Sequence, residues 1–340
     1  MQAAVWTGAG QLDIQERPVP EPQSHELLIE NKAVGVCGSD FHVYQGQFWP
    51  AVPPLILGHE AAGVICGLGK DVRGFHAGDR VVINPSLYCG HCHFCRQGYP
   101  NQCLQRETIG MTRRDGAFAD YFTVPAQNAH LLPPSVEWET AALVDSLACA
   151  IHALDQAPFH KSEAVVIFGA GPAGLCFTAL SSLREASPLI VADVAVQRLG
   201  VAYRLGAHYT VDAGTTDAVE FVLNLTDELG AHLSIEASGA PQAILQCLKA
   251  TRSRGKVLVY GIYCAPVNGV DFQDQHRREI TIYGSSGALG SYPEAIELIA
   301  SRRLGLQPII SHRLCLQDLP DFFEKVVQHR PENYLKAVVI

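Results

Sequence analysis

A histidine and a glutamate stand side by side in Leu57-Gly58-His59-Glu60-Ala61-Ala62-Gly63. They offer an imidazole nitrogen and a carboxylate oxygen, both ordinary ligands of Zn²⁺, and the small residues around them let backbone pack close. Cys37 lies 22 residues upstream in Val36-Cys37-Gly38-Ser39-Asp40-Phe41-His42, and Asp145 lies downstream in Ala142-Leu143-Val144-Asp145-Ser146-Leu147. A catalytic zinc takes about three protein ligands and keeps an exchangeable position for water or substrate. Cys37, His59 and one or both of Glu60 and Asp145 would supply such a set.

A second cluster is Cys89, Cys92, Cys95 and Cys103, with two, two and seven residues between successive cysteines. Four thiolates at this spacing close a tetrahedral shell within one loop, which leaves no room for substrate, so a zinc there is structural. The alternatives are four reduced or partly disulfide-bonded cysteines, or His91 or His93 in place of one thiolate.

The third motif is Gly169-Ala170-Gly171-Pro172-Ala173-Gly174, after an apolar strand and at the start of a helix. Glycines here permit a tight turn and the close approach of a pyrophosphate, which then sits at the positive end of the helix. Asp193 ends the next strand 19 residues after Gly174, which meets the context this motif requires. Its carboxylate suits two ribose hydroxyls and repels a 2′-phosphate, so NAD is expected over NADP. Arg198 is the nearest cation, on the adenine side or in a surface ion pair.

These motifs need a scaffold to hold them. The chain has 340 residues, enough for two domains, and 48% hydrophobic against 17% charged residues argues for a globular chain rather than disorder. Up to about residue 150, short β-branched runs between Gly and Pro predict a compact all-β or barrel-like unit. A helical pattern over Ala141–Gln156 leads into alternating elements: strands at Ala164–Phe168, Leu189–Ala192, Leu233–Ala237, Lys256–Tyr260 and Glu279–Tyr283, and helices at Pro172–Arg184, Val196–Leu205 and Pro241–Ala250. That alternation predicts a doubly wound parallel sheet. A tail with helices at Tyr292–Ser301 and Leu316–Gln328 and a strand at Lys336–Ile340 is expected to return to the first domain.

The net charge of −9 disfavours nucleic acid and anionic lipid surfaces, since only short basic pairs such as Arg113-Arg114 interrupt it. No apolar run approaches a membrane span, and the N-terminus lacks a basic region followed by an apolar one, so a cytoplasmic location is expected. Eleven cysteines, four of them clustered, favour metal over disulfides in such a compartment.

The motifs Cys37-Gly38-Ser39-Asp40, Gly58-His59-Glu60, the Cys89–Cys103 lobe, Asp115-Gly116-Ala117-Phe118-Ala119-Asp120-Tyr121, Gly169–Gly174 and Glu236-Ala237-Ser238-Gly239 together resemble the zinc-dependent medium-chain alcohol dehydrogenase superfamily. The similarity spans nearly the whole chain and is nearest the bacterial polyol, sugar-acid and threonine dehydrogenases. It implies a GroES-like β-barrel catalytic domain over 1–150, completed by 285–340, and a Rossmann NAD-binding domain over 151–284, with the active site between them. It also implies one catalytic and one structural zinc per chain and a homo-oligomer, a tetramer or dimer.

By resemblance, Cys37 and His59 match the zinc ligands, and Glu60 the carboxylate that binds the metal or sits beside it. Asp145 falls where polyol and threonine dehydrogenases usually place Glu, one methylene longer, so its direct contact with the metal is open. Ser39 matches the hydroxyl that touches the substrate oxygen, and His42 the imidazole that relays its proton to solvent. The implied reaction is zinc-dependent, NAD-linked oxidation of a secondary alcohol on a polyol, sugar, sugar acid or cyclitol to the ketone, reversibly. Phe48, Trp49 and Phe118 are candidates for pocket walls and Tyr44 for a hydrogen bond to a hydroxyl, or all four equally for core or interface packing. Ser285-Ser286-Gly287-Ala288-Leu289 lacks the Arg that would grip a carboxylate or phosphate. Two other functions remain in view: an amino-alcohol oxidation like that of threonine dehydrogenases, and a catalytically silent zinc- or nucleotide-binding protein.

Overall fold

The computed structural model describes residues 1–48, 50–329 and 331–340. Its chain forms two compact units, one of residues 1–145, 289–301 and 310–340, the other of residues 146–288 and 302–309.

The first unit is built around one long strand, Glu26–Val36. It pairs antiparallel with Glu60–Leu68 on one side; on the other its first half pairs with Tyr121–Pro125 and its last residues with the terminal strand Lys336–Val339. Arg80–Ile83 and Ala129–Leu131 extend the same sheet beyond Glu60–Leu68, and Ile310–Leu314 extends it beyond the terminal strand. A smaller sheet orders Gln11–Glu16, Gln2–Gly8 and Leu55–Ile56. Val5, Trp6, Leu27, Ile29, Phe118 and Phe323 are among the buried side chains that close this unit's core.

The register of this sheet matters for the site. Gly35 pairs with Glu60, and Val36, next to Cys37, pairs with Ala337. One strand end thus brings Cys37, Glu60 and the C-terminal segment together from three distant parts of the sequence.

The second unit is a six-stranded parallel sheet in the order Tyr209–Asp212, Leu189–Asp193, Val165–Phe168, Ala231–Glu236, Thr251–Val259, Thr281–Gly284. This is the doubly wound order that reverses direction beside its first strand. Val165–Phe168 and Leu189–Asp193 are buried along their whole length, as parallel strands covered on both faces must be.

Within the parallel-sheet unit the strand Tyr209–Asp212 and the helices Ala218–Leu225 and Phe272–Arg278 go beyond those expected. The strand has an exposed tyrosine and only one inward valine, too little for a periodic signal. The two helices are short but capped, by Asp217 and Asp271. The expected helix over 141–156 is two helices, Trp138–Ala141 and Val144–Gln156. Among the described residues no helix is long and apolar enough to cross a membrane.

Candidate metal centre and dinucleotide turn

Cys37 caps the helix Gly38–Tyr44, and its main-chain N–H donates to Asp40 Oδ2 at 2.8 Å. The other oxygen of Asp40 pairs with His59 Nδ1 at 3.1 Å. That contact puts the ring proton on Nδ1 and turns Nε2 toward the Ser39 hydroxyl, 3.5 Å away. A carboxylate behind a histidine is the usual support for an imidazole that binds metal.

Cys37, His59 and Glu60 each present a donor atom such that all three lie within 4.8 Å of one another. Zinc at ordinary bond lengths needs donor-to-donor edges of about 3.3–3.8 Å, so small side-chain adjustments suffice to close a shell. The electrostatics also suit a cation. Burial lowers the His59 pKa, but Asp40 and the Cys37 sulfur outweigh it and hold the ring well above the usual imidazole range. A buried cluster with this surplus of anionic partners favours positive charge at its centre.

Glu60 is 1% exposed and ion-paired with Lys336, itself 1% exposed, in the terminal strand. Burial opposes the ammonium, yet Glu60 and Cys37 keep its pKa raised. Asp145 stands outside the three-residue group. It lies in the first turn of Val144–Gln156, and its Oδ1 accepts the hydroxyl of Tyr292. Burial, then the nearby Glu60 carboxylate, push Asp145 up to about 6.

Ser39 is buried at the centre, whereas His42 is partly buried on the same helix, with Nδ1 3.2 Å from Gln47 Oε1. Of the candidate pocket residues, Phe118 and Tyr44 are core residues, and the Tyr44 hydroxyl donates to the Gly10 carbonyl at 3.0 Å. Phe48 is partly buried against the same core, and Trp49 lies outside the described residues.

The quartet Cys89, Cys92, Cys95 and Cys103 forms a second group. Its Sγ–Sγ separations include 3.5 Å for Cys92–Cys95 and 4.0 Å for Cys89–Cys95. A disulfide needs about 2.05 Å, whereas four sulfurs on one zinc stand about 3.8 Å apart. Main-chain N–H groups of Cys92 and Gln105 point at the Cys89 and Cys103 sulfurs, each at 3.3 Å. N–H groups of Cys95 and Leu104 likewise lower the Cys92 thiol to about 6. These N–H contacts favour the thiolate at Cys92, whereas burial, then the Cys92 and Cys103 sulfurs, push the Cys95 thiol up to about 12. His91 Nδ1 is instead engaged with the Cys89 carbonyl at 2.8 Å.

In the second unit the turn 169–174 joins Val165–Phe168 to the helix Pro172–Leu183. Gly169 has φ +108°, a conformation that favours glycine, and a Cβ on Gly174 would stand 1.8 Å from the Gly169 carbonyl oxygen. A Cβ on Gly171, at the helix cap, would meet nothing within 4 Å. Two glycines therefore shape the turn, while the third leaves open space at a helix N-terminus beginning Pro172-Ala173.

Asp193 Oδ2 accepts the Ala170 N–H at 2.6 Å and Oδ1 the Ala195 N–H at 2.8 Å. Each oxygen retains a further lone pair for a ribose hydroxyl. Arg198, third in its helix, places Nη1 4.0 Å from Asp193 Oδ2, which makes it the carboxylate's ion-pair partner.

Asp40 stands in the motif Cys37-Gly38-Ser39-Asp40 without a role of its own there, and Lys336 and Tyr292 are site residues outside every motif. Asp40 was detectable as an acidic residue three after a candidate ligand in a helix-start position. Lys336 had a fainter signal, a lysine heading an otherwise apolar terminal strand. Tyr292 had none.

Two family models match the chain: alcohol dehydrogenase GroES-like domain over residues 23–134, and zinc-binding dehydrogenase over residues 172–301. A sorbitol dehydrogenase of Bacillus subtilis is 33% identical over 345 residues, covering 100% of this chain and 97% of that protein. An L-threonine 3-dehydrogenase of Pyrococcus horikoshii is 35% identical over 307 residues, covering 88% and 87%. Among solved structures, a putative zinc-binding dehydrogenase of Sinorhizobium meliloti bound to NADP superposes with a TM-score of 0.95 at 29% identity, covering 100% of this chain and 98% of that one.

Proposed function

We propose that this chain, which belongs to the zinc-dependent medium-chain alcohol dehydrogenase superfamily, oxidises a secondary alcohol of a polyol, sugar, sugar acid or cyclitol to the ketone with NAD, reversibly. Convergence of a thiolate, an imidazole and a carboxylate within 4.8 Å, around a buried serine, carries this reading.

Cys37, His59 and Glu60 would hold the catalytic zinc, with Asp145 beside them; Cys89, Cys92, Cys95 and Cys103 would hold the structural one. A bound zinc supplies Lewis acidity that makes a hydroxyl group easier to deprotonate at neutral pH. Asp40 fixes the His59 ring, and Ser39, at 3.5 Å from its Nε2, is placed to take the substrate's proton. His42, further along the same helix and less buried, passes it outward. Gly169, Gly171, Pro172, Ala173 and Gly174 cradle the pyrophosphate. Asp193 holds the ribose hydroxyls, and its ion pair with Arg198 leaves that cation engaged with a carboxylate rather than with a 2′-phosphate.

A neutral substrate fits best, because Ser285–Leu289 offers no cation for an acidic group. Similarity to a threonine dehydrogenase supports a second reading, oxidation of an amino alcohol. One panel of polyols, polyol phosphates, aldonates and amino alcohols, run with NAD and with NADP, separates these readings. Fastest turnover of a neutral polyol or cyclitol with NAD is the expected result; L-threonine as the best substrate, or a preference for NADP, overturns the corresponding part.

A homo-oligomer, dimer or tetramer, is supported by Thr281–Gly284, an edge strand whose Thr281, Ile282 and Gly284 are exposed. A cytoplasmic setting is supported by the spacing of the Cys89, Cys92, Cys95 and Cys103 sulfurs, whose contacts of 3.5–4.0 Å are those of thiols around a metal rather than of disulfides.

A further inference from the structure

Two carboxylates compete for the neighbourhood of Cys37 and His59, and each is held by a different partner. Glu60 is committed to Lys336, which reaches it from the terminal strand. Asp145 is committed to Tyr292, whose hydroxyl donates to its Oδ1. The tyrosine has little freedom to let go. It is 1% exposed, it begins the helix Tyr292–Ala300 with Pro293 next, and its ring stacks on His130 with centroids 4.8 Å apart and planes 6° from parallel. Asp145 is anchored by the first turn of its helix, behind Ala142, Leu143 and Val144, which are at most 1% exposed. Turning Oδ1 toward Cys37 and His59 therefore requires giving up the tyrosine hydroxyl.

We infer that Tyr292 is a positioning residue that holds the Asp145 carboxylate out of the shell formed by Cys37, His59 and Glu60, so that the fourth position stays open to water or the substrate hydroxyl. A catalytic zinc needs that open position, whereas a fourth protein ligand closes it. The anionic shell would otherwise gain a further carboxylate, which binds metal tightly but excludes substrate. His130 contributes by fixing the ring from which the hydroxyl projects. This inference rests on Cys37, His59 and Glu60 being metal ligands.

The test uses the full-length chain with cobalt in place of zinc, comparing wild type, Tyr292→Phe, Asp145→Asn and the double variant. Tyr292→Phe should change the cobalt d–d bands, strengthen cobalt retention against a competing chelator about tenfold, and lower kcat with KM for NAD unchanged. Adding Asp145→Asn should return bands and retention to those of Asp145→Asn alone. His130→Leu keeps the hydroxyl but removes its stacking partner, and should shift the bands the same way by less; it carries the test if Tyr292→Phe folds poorly. Unchanged bands and retention in the folded variants, or a shift that persists when Asp145 is also replaced, overturn the inference alone. A wild-type chain that binds metal only at the four-cysteine lobe overturns the underlying reading as well.

Discussion

Asp40 takes two N–H groups at once, one from the Cys37 main chain and one from the His59 ring. A single carboxylate therefore sets the spacing of two candidate ligands. Replacing it by alanine should weaken zinc binding at this site by about 10- to 100-fold, the usual cost of losing such a partner, as read by chelator competition. Lys336 is the counterpart on the other side. In metal-stripped chain, Lys336→Met should destabilise the fold by about 3–5 kcal/mol in urea unfolding, because it strands the buried Glu60 carboxylate. Lys336→Met combined with Glu60→Gln should recover much of that loss. At the cofactor end, Asp193→Ser removes charge-assisted hydrogen bonds to the ribose and should raise KM for NAD roughly tenfold to a hundredfold, measured by initial rates at saturating alcohol.

The turn between Val165–Phe168 and Pro172–Leu183 separates shape from binding at the scale of an element. Gly174→Ala would place a Cβ 1.8 Å from a main-chain oxygen, with no flexible side chain to give way. It should cost roughly 2–3 kcal/mol of stability by overpacking and lower the melting temperature even without cofactor. Gly171→Ala meets open space instead, so it should leave the melting temperature nearly unchanged while weakening NAD binding, as measured by calorimetry. Equal losses of stability in both variants would contradict this division. The alternation of strands and helices announced the element itself, since buried parallel strands read as continuous apolar runs. The edge strand Tyr209–Asp212 and the short helices after it escaped notice because capping and tertiary contacts, not periodicity, hold them.

Across the whole molecule the two metal groups should be separable by stoichiometry. The purified chain should carry about two zinc ions by elemental analysis. Cys37→Ser should lower this to one and abolish turnover with the fold retained, whereas Cys92→Ser should also lower it to one but reduce the melting temperature by loosening the 89–103 lobe. Retained turnover in a Cys37→Ser chain carrying one zinc would refute the catalytic assignment.

What the amino-acid sequence determined alone is what neighbours within some twenty residues enforce. The spacing of four cysteines, the glycine turn with its acidic residue one strand later, and the Cys-to-His-Glu interval are local patterns, and the structure assembles each of them. Tertiary structure alone decided which side chain met Glu60 and which met Asp145. Lys336 meets Glu60 across 276 positions and Tyr292 meets Asp145 across 147. Such pairings depend on strand register and helix packing, so composition and spacing do not name either partner. The surroundings of Asp145 belong to this second class: nothing near it in the sequence points to the tyrosine hydroxyl that meets its Oδ1.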